Sequence, residues 1–269
     1  MSKYGIAALM LAFLAASAHA DGDYVSPTND RVRVSLGIMD LSSTTTIQVD
    51  STTGTPGTVV NGEDQLGLSK DDIEPKFQAM VRAGQRNRIF FDYFTLDRTG
   101  GATLTEPIVF RDAVLQVGDP VQSLLNFRVL GLTYAYSFYR SEKLEFAAML
   151  GVGSVTIEAQ AKVETEAVHV NQMENEAGPF PSPGLDATWV VSKRFYLDGR
   201  IQYLDLHFNQ LDGSLGFLEL DALYRFRPNV SFALGYTDSK AHLSSTKTTS
   251  GGYFDLNSKG PQFFVRVAF

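Results

Sequence analysis

Three small groups of residues in this chain have types and spacings that could do chemistry. The first is His242-Leu-Ser244, with Asp255 on the next extended segment. Residues two apart share a face of a strand. Parity counted from Phe232 puts His242 and Ser244 on one face, and parity counted back from Phe269 puts Asp255 on the same side. An imidazole beside a hydroxyl, oriented by a carboxylate, is the arrangement nucleophilic hydrolysis requires. The second group is Asp205-Leu-His207, which could activate a water if a pair of carboxylates faced it; Asp71, Asp72 and Asp92 are the available partners. The third is a set of acidic residues in polar stretches: Glu63, Asp64, Asp71, Asp72, Glu164, Glu166, Glu174 and Glu176. These could hold Ca²⁺ or bridge phosphates through a divalent ion, although none sits in a twelve-residue Ca²⁺ loop.

Each group also has a plainer reading. Ser244 to Ser250 is a solvated tip, a rim His beside a carboxylate is hydrogen-bonded to it, and acidic loop residues keep loops in water. No residue is therefore assigned a catalytic, cofactor-binding or metal-binding role, and no cofactor is expected. The chain has no cysteine, which excludes thiolate zinc sites and disulfides. Glycine-rich phosphate loops and haem motifs are absent too.

The elements that must position these groups are strands. Val32, Val34, Leu36 and Ile38 alternate with Arg31, Arg33, Ser35 and Gly37. The same period of two runs through 77–82, 89–94, 130–138, 144–152, 185–191, 197–203, 218–226, 230–236 and about 253–269, giving ten strands. Beyond Tyr203 the apolar set shifts to Leu204, Leu206 and Phe208, which suggests a bulge that flips the register there. The connections 84–87, 140–143, 192–194 and 227–229 are short turns. They alternate with mostly long polar stretches at 51–64, 99–123, 164–183 and 239–252, plus a shorter one at 209–213.

The N-terminus carries an address. Lys3 is followed by an apolar run from Ile6 to Ala16, and Ala18-His19-Ala20 is a cleavage pattern before Asp21. The expected organisation is a signal peptide over 1–20, a polar periplasmic lead over 21–30 and a barrel over 31–269. Removing Lys3 takes the formal charge from −7 to −8. An acidic exported chain argues against nucleic-acid binding. The mature part has no run of about 20 apolar residues, as a membrane-spanning helix would need.

The final stretch, Pro261 to Phe269, places Phe263, Val265, Val267 and Phe269 on one face and ends on an aromatic residue. In this it resembles the Gram-negative outer-membrane β-barrel proteins, whose last strand and terminal Phe are read by the assembly machinery. That resemblance implies an all-β fold: a closed antiparallel up-and-down transmembrane barrel with short periplasmic turns and longer extracellular loops. It implies outer-membrane lipid and lipopolysaccharide as surroundings, the assembly machinery as a partner through Phe269, a cell-outer-membrane location and a monomer. His242-Leu-Ser244 is similar to the His-x-Ser pattern of the outer-membrane lipid A deacylases, but that family uses Glu where this chain has Asp255. Asp205-Leu-His207 is similar to the Asp-x-His pair of the omptin proteases, without their context for the facing Asp pair.

With the apolar faces outward, Arg33, Arg82, Arg200, Arg225 and Arg266 point inward with Asp92, Glu145, Asp186, Asp198, Glu219 and Asp221. Five positive and six negative charges nearly balance, so a narrow or occluded lumen crossed by salt bridges is expected. Near the seam of first and last strands, carboxylates such as Asp221 or Glu219 should lie within reach of Arg33 and Arg266, and Arg225 should compensate Glu219 or Asp221. Tyr93, Tyr134, Tyr136, Trp189, Tyr203, Tyr224 and Tyr236 form outward aromatic girdles. The functional expectation is a non-enzymatic structural or surface barrel, or a narrow small-solute channel. The alternative is a hydrolase using His242, Ser244 and Asp255.

Overall fold

The computed structural model describes residues 25–110, 112–163, 169–170, 175–208, 211–245 and 251–269. Its strands are β1 (Val32–Val49), β2 (Val60–Asn61), β3 (Asp71–Ala83), β4 (Asn87–Thr103), β5 (Ile108–Phe110), β6 (Ala113–Leu115), β7 (Pro120–Arg140), β8 (Leu144–Val163), β9 (His169–Val170), β10 (Asn175–Val190), β11 (Phe195–Phe208), β12 (Leu211–Arg227), β13 (Val230–Ser245) and β14 (Gly252–Ala268). The wall runs β1, β3, β4, β7, β8, β10, β11, β12, β13, β14 and back to β1. β1 closes on β14 from Arg33↔Ala268 to Val49↔Gly252, and β8 joins β10 from Ile157↔Asn175 to Leu144↔Trp189. The ten-stranded closed antiparallel barrel is therefore as expected. Closure removes the unpaired edges that an open sheet of this size would present. The proposed signal peptide lies outside the described residues.

The register explains why the strands are longer than their apolar runs. On β1 the outward side chains are Val32, Val34, Leu36 and Ile38, then Asp40, Ser42, Thr44, Thr46 and Gln48. The inward ones are Arg33, Ser35 and Gly37, then Met39, Leu41, Ser43, Thr45, Ile47 and Val49. Parity never slips, but the chemistry of the two faces exchanges partway up. β8 repeats this: Leu144, Phe146, Ala148, Leu150 and Val152 face outward below, and Ser154, Thr156, Glu158 and Gln160 face outward above, while Val155, Ile157, Ala159 and Ala161 fill the inside. β13 changes between Tyr236 and Asp238, and β11 between Tyr203 and Asp205. The barrel thus has a lower storey, apolar outside and polar inside, and an upper storey, polar outside with an apolar core.

That exchange corrects the expected flip after Tyr203. β11 pairs with β12 without interruption from Phe195↔Tyr224 to Phe208↔Leu211. Leu204 is buried because the lumen itself has become apolar at its height. The upper core contains Leu41, Ile47, Leu96, Leu125, Phe127, Ile157, Leu215, Phe254 and Leu256. Phe127 stacks on Phe254 at 6.2 Å and meets Phe94 edge-on at 6.1 Å.

Two stretches read as polar loops instead cap this core. The connection after β1 brings Val60, Leu66 and Leu68 into it, and the one after β4 brings Leu104, Ile108 and Leu115. Arg98, fully buried, ties the cap down. It donates to Glu63 (2.6 Å), the Thr45 hydroxyl (2.6 Å) and the Ser69 carbonyl (2.7 Å). Likewise β4 continues to Thr103, β7 starts at Pro120, β10 starts at Asn175 and β13 runs on to Ser245, so parts of the expected loops are strand.

At the end with the short turns, Ser26 opens a 3₁₀ turn over Pro27–Asn29. This segment seals the lower mouth. Arg140 donates to the Thr28 carbonyl (3.0 Å) and to Asn29 Oδ1 (2.6 Å), and Arg82 donates to the Asp30 carbonyl (3.1 Å). Phe269 answers from the other terminus, its carbonyl accepting from the Arg31 and Val32 amides. On the outer face of β14, Val265 and Val267 are shielded rather than exposed. Val265 is flanked in register by Leu36 and Phe232, and Val267 by Val34 and Val230.

Candidate functional site: a layered lumen

Every inward charge anticipated from parity does point inward, and the lumen adds Lys76 and Arg88. With Asp30 from the mouth, the lower lumen holds, among the described residues, seven cations (Arg33, Lys76, Arg82, Arg88, Arg200, Arg225, Arg266) and seven carboxylates (Asp30, Asp92, Glu145, Asp186, Asp198, Glu219, Asp221), all ion-paired except Asp221, which accepts from Gln262. Lys76 and Arg88 share parity with Gln78 and Phe90, so extending the alternation by one residue at the ends of two strands would have found them. Buried ions are tolerated only when paired with good geometry.

The pairs brace the lumen rather than lace neighbouring strands. Arg82 on β3 meets Glu145 on β8 through two bonds, 2.7 and 2.8 Å. Arg200 on β11 reaches Asp92 on β4 (3.0 Å), and Lys76 on β3 reaches Glu219 on β12 (2.7 Å). Arg88 on β4 contacts Asp186 on β10 (2.7 Å). Aromatic faces separate the cations. Phe90 lies between Arg88 (5.4 Å) and Arg200 (4.1 Å), and Phe264 between Lys76 (5.0 Å) and Arg266 (5.3 Å).

Arg266 lies within electrostatic reach of both Asp221 and Glu219 as expected, but the direct bonds of Arg266, Arg33 and Arg225 go elsewhere. Arg266 binds Asp198 and the Ser35 hydroxyl. Arg33 binds Asp30 (3.2 Å), with Asp198 at 4.0 Å. Arg225 also binds Asp30, at 2.9 Å. Glu219 is held by Lys76, and Asp221 accepts from Gln262. Asp30 was missed because it precedes the first strand, and parity says nothing about a residue that folds back into the mouth.

The candidate hydrolytic group is partly assembled. His242 and Asp255 are register partners on β13 and β14, both on the outer face, and His242 Nδ1 is hydrogen-bonded to Asp255 Oδ1. Both are exposed, at 53% and 45%. Ser244 shares their face and pairs in register with Tyr253. Height matters here. The outward apolar run on β13 ends at Tyr236, and six further residues at about 3.3 Å each, tilted by about 40°, put His242 about 15 Å above it.

Asp205 is outward and exposed, whereas Asp92 is in the lumen on Arg200, and Asp72 is on Ser69 and Arg98. Opposite faces of the wall keep them apart. The His207 side chain lies outside the described residues. Of the acidic loop residues, Glu63 serves Arg98 and the Thr45 amide. Glu164, Glu166, Glu174 and the side chain of Glu176 lie outside the described residues. Among the described residues no group of three His, Asp or Glu side chains is placed to hold a metal ion.

Above the ionic layer, below the apolar core, the lumen holds a cavity of about 110 Å³. A smaller space of about 20 Å³ lies within the ionic layer, between Arg33, Arg266 and Asp198; charged, polar and apolar side chains occupy the rest of the described lumen.

No protein-family model matches this chain, and no curated protein matches it. Solved structures do. The outer membrane protease OmpT of Escherichia coli superimposes with a TM-score of 0.55 over 93% of this chain and 99% of that one, at 11% identity. The toluene transporter TodX of P. putida matches at a TM-score of 0.36 and 10% identity, covering 89% of this chain and 90% of that one. A Pseudomonas aeruginosa FadL homologue matches at 0.35 and 11%, covering 90% and 89%. At these identities the likeness to OmpT concerns the fold alone: this chain has a closed antiparallel barrel similar to that of an outer-membrane protein.

Proposed function

We propose that the protein is an integral outer-membrane β-barrel, non-enzymatic and without an open pore, that projects a rigid β-walled upper storey beyond the lipid. The observation that carries this reading is the exchange of the two faces along unbroken strands. A wall that is apolar outside over one height and polar outside above it suits a bilayer below and water above. On β7 the outward apolar run Leu130, Leu132, Tyr134, Tyr136 and Phe138 rises roughly 20 Å, close to the band of a bilayer-spanning barrel. Tyr93, Tyr203 and Tyr236 stand at its upper edge; Tyr136, Phe138, Trp189, Tyr224 and Phe226 lie toward the short-turn end. Tyr and Trp favour both interfaces.

The short turns and both ends of the described chain then face the periplasm. Lipid and lipopolysaccharide surround the band, and the assembly machinery reads Phe269 during insertion. With its first and last strands paired along their length, the barrel is a monomer. Ion pairs block the lower storey and an apolar core the upper, so ions are not conducted. The His242–Asp255 bond is the one observation favouring a hydrolase. At about 15 Å above the band, the pair is far from the acyl esters of embedded lipid, and a cross-strand ion pair accounts for it.

The decisive measurements are electrophoresis of a membrane fraction with and without boiling, and conductance of a planar bilayer. A mobility shift without conductance steps is expected. Recovery from the soluble periplasm with no shift overturns the membrane placement; discrete conductance steps overturn the closed lumen.

A further inference from the structure

The cavity between the two storeys is bounded unevenly. Its floor is Arg200, Asp92 and Thr133, and its ceiling is Val155, Leu204 and Phe217. Two features of the wall around it need a reason.

The first is a pair of glycines. Gly131 on β7 and Gly153 on β8 face each other in register on the inner wall. Neither has a positive φ. A Cβ on Gly131 would approach nothing closer than 3.8 Å, and one on Gly153 nothing closer than 3.4 Å. Neither backbone conformation nor packing calls for glycine here, and glycine weakens a strand. What the pair provides is empty space at the cavity.

The second is the seam between β10 and β11. Their ladder stops at Gly184↔Gln202, although β10 stays paired with β8 and β11 with β12 well above that point. The next residues of β10 include Pro183 and Pro181, opposite Leu150 and Val152 of β8. A proline cannot donate, so the ladder to β8 is made by the intervening residues, and the nitrogens of Pro181 and Pro183 face β11. Two donors are thereby missing from the edge that β11 would need. The seam ends beside Ser182, Gln202 and Tyr203, which line the cavity. Tyr203 marks the top of the outward apolar band, so the gap lies at the interface height.

We propose that this cavity binds a small neutral amphipathic molecule, with a ring or short alkyl body and one hydroxyl-type group, taken up from the membrane interface through the β10–β11 seam. Volume sets the size: about 110 Å³ is smaller than the roughly 150 Å³ that accepts benzene, so the ligand is at most a single ring or a short alkyl body, part of which stays in the seam. Charge sets neutrality. Arg200 is matched by Asp92 and Lys76 by Glu219, so a charged ligand would be buried without a counter-ion. Polarity places the hydroxyl. Gln202 Nε2 donates long bonds to Thr133 Oγ1 (3.2 Å) and Ser182 Oγ (3.5 Å), and a ligand oxygen can improve on them. The apolar ceiling receives the body.

The cavity itself stands on the lumen geometry, while uptake from the interface rests on the outer-membrane placement. The test uses the full chain folded in lipid vesicles, with 4-fluorophenol as the probe and ¹⁹F NMR as the readout. Wild type should show saturable binding and exchange between free and bound signals. Gly153→Leu, which grows into the cavity, should bind about tenfold more weakly or worse. Gly131→Val serves the same purpose if the first variant fails to fold, as judged by its heat-modifiable mobility. Since the chain has no cysteine, the double variant Pro183→Cys/Tyr203→Cys allows the seam to be cross-linked. Compared with the same variant in its reduced form, the oxidised barrel should exchange the probe more slowly. Equal binding by wild type and a folded cavity-filled variant overturns the site. Unchanged exchange in the cross-linked barrel overturns uptake through the seam. Either failure with heat-modifiable mobility retained leaves the barrel reading standing, and loss of that mobility in the wild type sinks that reading instead.

Discussion

The Arg82–Glu145 pair offers the sharpest test of a lumen held by crossed ion pairs. Glu145 is fully buried, accepts two bonds from Arg82 and one from the Ser137 hydroxyl, and has Arg88 Nε at 3.6 Å. Replacing it with Leu leaves the Arg82 guanidinium buried with only two carbonyls, those of Asp30 and Gln85. Breaking one side of a buried pair costs about 3–5 kcal/mol. The surviving carbonyls place the expected loss for Glu145→Leu near the lower limit, about 3 kcal/mol. The double variant Arg82→Met/Glu145→Leu removes both charges while keeping most of the volume. Such replacements are often neutral, so it should lie within about 1 kcal/mol of wild type. The assay is urea unfolding in phospholipid vesicles followed by the fluorescence of the single tryptophan. Trp189 points outward from β10 beside Leu144, the neighbour of Glu145, so its emission reports on this part of the wall. If the double variant is as unstable as the single, or if the single is neutral, the pair does not hold the lumen and the reasoning fails.

The exchange of faces predicts opposite responses to the same substitution at two heights. Leu150→Arg, on the outer face of the band, should cost about 2 kcal/mol or more, whereas Thr44→Arg on the outer face of the upper storey should change stability by less than about 0.5 kcal/mol; equal costs in vesicle unfolding would contradict the two storeys. Phe127→Ala, in the upper core between Phe94 and Phe254, should cost about 3–5 kcal/mol, measured the same way. Asp30→Ala strips the mouth of the carboxylate shared by Arg33 and Arg225 and should cost about 3 kcal/mol, while Asp64→Ala, in the exposed cap, should be silent. Ser244→Ala should leave the lipid A mass spectrum of overexpressing cells unchanged from that given by wild type. A mass shift made by wild type and abolished by the variant would establish the hydrolase.

The strands, their parity and the even count are written in the sequence because local chemistry sets them. Apolar and polar residues alternate with a period of two, Arg227-Pro-Asn229 and its counterparts break the pattern, and the last strand ends on Phe269. The inward direction of Arg33, Glu145, Arg225 and Arg266 follows from parity once the outer face is chosen. Partner choice does not follow. Arg225 takes Asp30 and Arg266 takes Asp198 because the shear and curvature of a closed ten-stranded wall decide which side chains meet across the lumen. The His242–Asp255 pair was legible for the opposite reason: its partners sit on adjacent strands.

The sequence by itself therefore determined which residues share a face, and through that the barrel. It did not determine which face is buried at each height, because alternation looks the same with the apolar set outside or inside. Leu204 seemed to demand a bulge, and Val60 or Leu104 seemed to belong to loops, as long as one environment was assumed along the whole strand. Only the tertiary structure supplies the second environment. The upper wall closes around its own apolar side chains, the capping segments complete that core, and the lower wall turns its apolar side chains outward around paired ions.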